Sequence, residues 1–335
     1  MQTLRLSVEK QGDAAIVSAA EILRAGGLVA FPTETVYGLG ANACSEKAVR
    51  RIFEAKERPA WDPLIVHAFD LAMLRSLAAE WPSQAEALAR AFMPGPLTLL
   101  LRKTAAIPAV CTAGREKAGL RIPANPIARR LIELAGVPVA APSANRFGRI
   151  SPTTAAHVLS DLDGRIDAVL DGGATDVGVE STVIDPTPPA TIFRPGGISR
   201  ERIESVLGPV REAQRALHDD ASGGMESPGR SLRHYAPRAR IVLVANEMEL
   251  QSAARREAVC GRVGVLLPKG WKPPVAGLVI FEWGGIEDGE ALAQSLYRGL
   301  RALDEQGVEV IVAPLPGPGG LGLAVRDRLR KAARE

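Results

Sequence analysis

A chain of 335 residues with 46% hydrophobic and 24% charged residues has globular composition and room for roughly two domains. That usage excludes a mainly disordered or fibrous chain. With 41 Lys and Arg against 38 Asp and Glu, the net charge of +3 gives no case for tight nucleic-acid binding through bulk charge and makes any anion site local.

In chain order, Asp13 to Ala25 carries apolar residues at helical spacing up to Gly26-Gly27, after which LVAFP reads as a short buried strand. Ser45 is placed to cap a helix from about Glu46 to Lys56, and Pro59 to stop it by pushing Arg58 out of helical geometry. LIVHAF, LTLLL, GLRIP, VPVAAP, AVLDGG, STVIDP and ATIFRP read as strands, with helices near Ser83 to Phe92, Pro126 to Leu134 and Ser199 to Leu207. Several strands follow one another without a helix, which predicts an α+β domain over residues 1–208. Residues 209–239 turn polar and Gly/Ser-containing, a linker. Beyond it IVLVA, RVGVLLP, GLVIFEW and VEVIVAP alternate with helical text at Glu247 to Ala258, Glu287 to Gln306 and Val325 to Ala333. This predicts a smaller parallel α/β domain over residues 240–335, so the chain as a whole is expected to be α/β.

The densest polar patch is FPTETVYGLGANA, residues 31 to 43. If Thr33 to Tyr37 is extended, Thr33, Thr35 and Tyr37 put three hydroxyls on one face while Glu34 and Val36 take the other. That face suits a polar pocket, or equally a strand leaving the core towards water. In KERPAWDPL, residues 56 to 64, extension after Pro59 lets Lys56 and Arg58 point the same way as a two-cation clamp for a polyphosphate. The basic last turn of a solvated helix would carry the same residues. PSAN, residues 142 to 145, follows an apolar strand and lets Ser143 and Asn145 share a face, while Ser151 is placed to cap the helix beginning near Thr153.

No two of the four histidines are spaced as zinc ligands, and His67 within LIVHAF reads as a core residue. His234 differs, standing beside Tyr235 in the polar linker. GPGGLG, residues 317 to 322, leaves no room for the ribose-binding acid of a dinucleotide fold and reads as a strand-to-helix turn; no P-loop is present. Cys44, Cys111 and Cys260 suggest neither a disulfide framework nor a zinc knuckle. The start MQTLRLSVEK lacks a secretory apolar stretch, and no run nears the roughly 20 apolar residues of a membrane span, so a cytoplasmic location is expected.

Taken together, PTETVYGLG, K-x-R-P with PLIVH, PGPLT, GLRIP, PSAN, ISPT, ESTVID and RPG occur in an order that closely resembles the YrdC-like family of threonylcarbamoyl-adenylate synthases. SPGRSLRHYAP and the extra α/β domain resemble its long, two-domain form. The resemblance implies a twisted open sheet with flanking helices, then a Rossmann-like parallel domain. It also implies a reaction of L-threonine, bicarbonate and ATP that gives threonylcarbamoyl-adenylate and pyrophosphate for modification of tRNA. Lys56 and Arg58 then resemble the catalytic cations. With Arg194 they match the triphosphate contacts, and Asp62, Lys117, Ser143, Asn145, Ser151, His234 and Tyr235 the remaining ATP contacts.

Thr35, His67, Arg121 and Ser181 resemble the threonine pocket, with Arg121 facing the threonine carboxylate and Tyr37 shaping the wall. Asp62 departs from the family pattern, which commonly has Asn there. Mg²⁺ is expected on the ATP phosphates, without dedicated protein ligands. A downstream threonylcarbamoyl transferase is the implied partner, with room for weak tRNA contact and none for a membrane. His234 and Tyr235 fit a linker folding over the active-site mouth. Two other functions compete: an RNA-binding module holding a phosphate backbone, and a carbamoyl-adenylate enzyme using another carbamoyl donor.

Overall fold

Ala15, Ile16, Ala19, Ala20 and Leu23 recur on one side of the helix Asp13–Arg24 and are all buried, as its 3.6-residue period requires. On Glu46–Lys56 the buried residues are Ala48, Val49, Ile52, Phe53, Ala55 and Lys56, and Ser45 starts the helix by accepting from Ala48 N at 3.3 Å. It ends at Lys56 as expected, but by another means. Glu57, not Pro59, stops the helix, by taking a left-handed conformation at φ 54°. That costs a non-glycine residue about 1–2 kcal/mol, and its carboxylate is tied down by Arg165 at 2.8 Å and by Arg146.

The computed structural model describes residues 2–213 and 235–333. The chain divides into two units, Met1–Phe147 with Ser151–Asp176 and Glu180–Ser231, and Gly148–Ile150 with Val177–Val179 and Leu232–Glu335.

In the first unit the strands are β1 (Leu4–Ser7), β2 (Val29–Pro32), β3 (Tyr37–Asn42), β4 (Ile65–His67), β5 (Leu97–Arg102) and β6 (Lys117–Arg121). Then come β7 (Val139–Ala140), β8 (Ala168–Asp171), β9 (Thr182–Asp185), β10 (Thr191–Arg194) and β11 (Arg211–Glu212). They form one mixed sheet in the order β1-β8-β2-β3-β7-β4-β6-β5-β9-β10-β11. Antiparallel pairs such as β2–β3 and β5–β6 alternate with parallel pairs such as β4–β6 and β5–β9, the α+β character expected of this region. The sequence pattern misses β1, β3 and β11. The last of these pairs with β10 inside the stretch read as linker.

Val29 and Phe31 belong to one buried cluster and Ala30 to the other, the alternation of a strand covered on both faces. Helices Asp13–Arg24 and Pro126–Ala135 pack on the first face, and Glu46–Lys56, Ser83–Phe92, Ala155–Leu162 and Arg200–Leu207 on the second. Each fully buried Leu, Ile or Phe contributes about 1.5–3 kcal/mol, so these clusters make the sheet the rigid support for the groups at its strand ends.

The second unit holds β12 (Arg240–Val244), β13 (Val263–Leu267), β14 (Val279–Glu282) and β15 (Val310–Pro314), all parallel, in the order β12-β15-β13-β14. Helices Glu247–Glu257, Gly289–Glu305 and Gly322–Ala332 connect and follow them, as the alternating pattern predicts. GPGGLG spans the turn from β15 into the last helix. Tyr235 is buried in this unit, stacked on Tyr297 at 5.8 Å with the Arg328 guanidinium 5.1 Å above its ring. His234 lies outside the described residues. No helix among the described residues is long and apolar enough to cross a membrane.

Candidate active site

The helix end at Lys56 and the loop after β7 build the first part of the site. Lys56 is 1% exposed, and its Nζ donates to the carbonyls of Ser143 (2.6 Å) and Asn145. An ammonium has three N–H groups, so one remains beyond these two acceptors. Phe147 N donates back to the Lys56 carbonyl at 2.9 Å, locking loop and helix end together. Burial holds the Lys56 ammonium well below its ordinary pKa, and Arg58 lowers it further against the opposing pull of Asp62 and Asp161.

Arg58 is 7% exposed and reaches Asp62 Oδ1 at 2.9 Å, with Nε and Nη2 donating to the carbonyls of Asp62 and Pro63. Asp62 therefore holds the Arg58 fork in place. Ser143 and Asn145 serve Lys56 through their backbone, a role that side-chain alternation does not reveal.

The second part is the tip of the β2–β3 hairpin. Residues 33–36 form a turn, not the extended run expected from the sequence. Thr33 Oγ1 donates to Val36 O at 2.7 Å, shares a 2.8 Å hydrogen bond with Thr35 Oγ1 and accepts from Thr35 N at 3.1 Å. A hydroxyl in this position substitutes for ladder bonds, so the predicted single face of three hydroxyls does not form. Tyr37 points elsewhere, donating to Gly173 O at 2.6 Å, and its phenol is held above the ordinary range by burial and then by Asp171.

Thr35 instead meets Arg121 at the end of β6, whose Nη2 donates to Thr35 Oγ1 at 3.0 Å and whose Nε donates to Gly95 O at 3.3 Å. Glu34, unassigned by the sequence reading, pairs with the same Nη2 at 2.8 Å. Only its place within the PTET run marked it out.

His67 pairs with Arg121 in register across β4 and β6. It is buried, and desolvation first and the Arg121 charge second lower its pKa to about 3, so the ring is neutral at working pH. The sign follows from linkage. An unfolded histidine binds a proton below about pH 6.5 while this ring stays neutral, so its stabilisation is complete above about 6.5 and is lost as pH falls towards 3. Urea titrations of His67→Gln are expected to lose this slope, about 1.4 kcal/mol per pH unit at most. A variant with the wild-type acid slope would contradict it.

Ser181, just before β9, joins the third cluster. Its Oγ shares a 2.8 Å hydrogen bond with Thr98 and accepts from Arg194 Nη2 at 3.1 Å, and its carbonyl accepts from Arg194 Nε at 3.1 Å. Ser151 does not cap a helix. Thr154 caps Ala155–Leu162, and Ser151 Oγ donates to Glu180 at 2.6 Å. Lys117 is not brought to these residues. It pairs with Asp185 at the far end of β6 from Arg121, and four residues of strand amount to about 13 Å.

Two buried cations, Lys56 and Arg58, under a small-residue loop, with a third, Arg121, set beside a threonine hydroxyl, define an enzyme site for anionic reactants. Residues 21–196 match the family model described as "Telomere recombination", and residues 198–334 that of the threonylcarbamoyl-AMP synthase C-terminal domain. The threonylcarbamoyl-AMP synthase of Pyrococcus abyssi is 46% identical over 94% of this chain and 93% of its own, and that of Bacillus subtilis 43% identical over 96% and 93%. A crystal structure of Pyrococcus abyssi Sua5 complexed with L-threonine covers 99% of this chain and 98% of its own at 44% identity and a TM-score of 0.91. The chain belongs to the threonylcarbamoyl-AMP synthase family and is a nucleotidyltransferase-type enzyme.

Proposed function

We propose that the chain forms threonylcarbamoyl-adenylate and pyrophosphate from L-threonine, bicarbonate and ATP, for transfer to tRNA by a downstream threonylcarbamoyl transferase in the cytoplasm. The observation that carries this reading is the short stretch from Thr35 to Gly38. It holds Thr35 against Arg121 at one end and bridges to Ser143, whose carbonyl binds Lys56, at the other. Three residues span at most about 11 Å, so a small amino acid at Arg121 and a nucleotide at Lys56 lie within reach of each other.

In this reading Arg121 grips the threonine carboxylate, with Thr35, Ser181 and the neutral His67 around the rest of the molecule. Lys56, Arg58 and Arg194 hold the phosphates, and Ser143, Asn145 and Ser151 line the nucleotide side. Threonine nitrogen and bicarbonate give a carbamate, whose oxygen attacks the α-phosphorus and displaces pyrophosphate. Positioning and fixed positive charge carry the rate, with no protein nucleophile.

Mg²⁺ bound to ATP would spread the charge of the departing pyrophosphate. Asp62, the carboxylate of the cation cluster, is taken by Arg58 at 2.9 Å, and the described residues contain no group of three or more His, Cys, Asp or Glu side chains arranged to hold a metal.

The RNA-binding alternative needs cations on an open surface, whereas Lys56 is 1% and Arg58 7% exposed. Pyrophosphate release should require threonine and bicarbonate together. Release driven equally by serine, or by carbamoyl phosphate in place of bicarbonate, would overturn the assignment.

A further inference from the structure

Glu34 is buried, 6% exposed, and sits at the tip of the hairpin that carries Thr35. Its Oε1 lies 2.8 Å from Arg121 Nη2, yet neither carboxylate oxygen accepts a hydrogen bond from any described residue. A carboxylate offers about four lone-pair sites, and one ion pair leaves most of them unfilled in a place shielded from water. Buried acceptors of this kind call for a donor.

The chemistry of an amino acid identifies that donor. Its ammonium and carboxylate share one carbon, so a carboxylate held by Arg121 brings the ammonium to within a few ångströms of the group already paired with Arg121, which is Glu34. The charged group facing Glu34 is Arg121 from β6, while His67 from β4, in the field of Arg121, is neutral. Thr33 and Thr35 add hydroxyls without charge.

Resting on the threonine reading above, we propose that Glu34 is a catalytic residue: it binds the α-ammonium of the amino acid and takes the proton that the nitrogen loses as it is carboxylated. An ammonium has no lone pair, and at neutral pH this form of an α-amine predominates. In the step, a C–N bond forms to the bicarbonate carbon and the C–OH bond breaks. The hydroxide leaves as water with one proton from nitrogen, and a second passes to Glu34, leaving a carbamate N–H. Charge and atoms balance with no further reactant.

The test is the pH dependence of pyrophosphate release by Glu34→Gln. At pH 7 turnover is expected to fall about 10²-fold or more, then to climb about tenfold per pH unit as the free amine loses its proton in solution, while the wild type stays level. Wild-type turnover in E34Q, or a lowered rate with a profile parallel to the wild type, would overturn the proposal. Circular dichroism and thermal melting establish folding. Should E34Q not fold, Glu34→Asp keeps the charge but sets it back by one methylene, and a partial loss with the same steepened profile is expected. An E34D profile parallel to the wild type would overturn the proposal.

Calorimetric titration of Thr35→Val with threonine separates the two levels. Unchanged affinity would remove the threonine site and the proposal with it. Weakened affinity together with a parallel E34Q profile would remove the proposal alone.

Discussion

Replacing Lys56 with methionine is expected to slow pyrophosphate release about 10²–10³-fold and to leave threonine affinity unchanged. The argument begins with desolvation. Lys56 is buried at the end of a helix, and its ammonium is held by the carbonyls of Ser143 and Asn145. Burial and then Arg58 push its pKa down against the pull of Asp62 and Asp161, so an anionic partner would favour its charged form.

Calorimetric titration with ATP should show weakened affinity in the variant. The methionine also leaves two carbonyls without their donor, at about 1–3 kcal/mol for each that stays buried, so a lowered melting temperature accompanies the kinetic loss. Wild-type turnover in K56M would remove Lys56 from the chemistry.

The second large effect is expected at Arg121. Arg121→Lys keeps the charge but loses the planar fork that serves Thr35, Gly95 and Glu34 together. Threonine KM should rise about tenfold to a hundredfold, with ATP affinity unaltered. Arg121→Ala goes further, because it strands Glu34 as an unpaired buried carboxylate, which typically costs about 3–5 kcal/mol. Removing both partners, as in Glu34→Gln with Arg121→Met, should recover much of that stability without recovering threonine binding. Chemical denaturation and threonine titration read the two effects separately. A stable R121A that still binds threonine would show that Arg121 does not grip the substrate.

A cap residue made one helix start legible. Ser45 accepts from the first turn of Glu46–Lys56 as its type predicts, while the Asn125 cap of Pro126–Ala135 is seen only in the structure. Apolar runs marked strands β2, β4 to β10 and the four of the second unit, but not their spatial order, because adjacency such as β3 beside β7 depends on contacts far apart in the chain.

The site was readable as residue types and misread as geometry where side chains replace backbone pairing. Thr33 bonds its own turn, so alternation fails over residues 33–36. Ser151 is drawn to Glu180, 29 positions away, leaving Thr154 to cap the helix. Lys117 and Arg121 share a strand but occupy its opposite ends, a separation that motif order does not convey.

Because one ammonium ties down the carbonyls of Ser143 and Asn145, and on the proposed reading meets the nucleotide as well, the segment ending at Lys56 and the loop after β7 form an inseparable module. A chimaera that imports the loop from a distant homologue without its matching helix terminus would forfeit structural order and substrate capture in a single stroke.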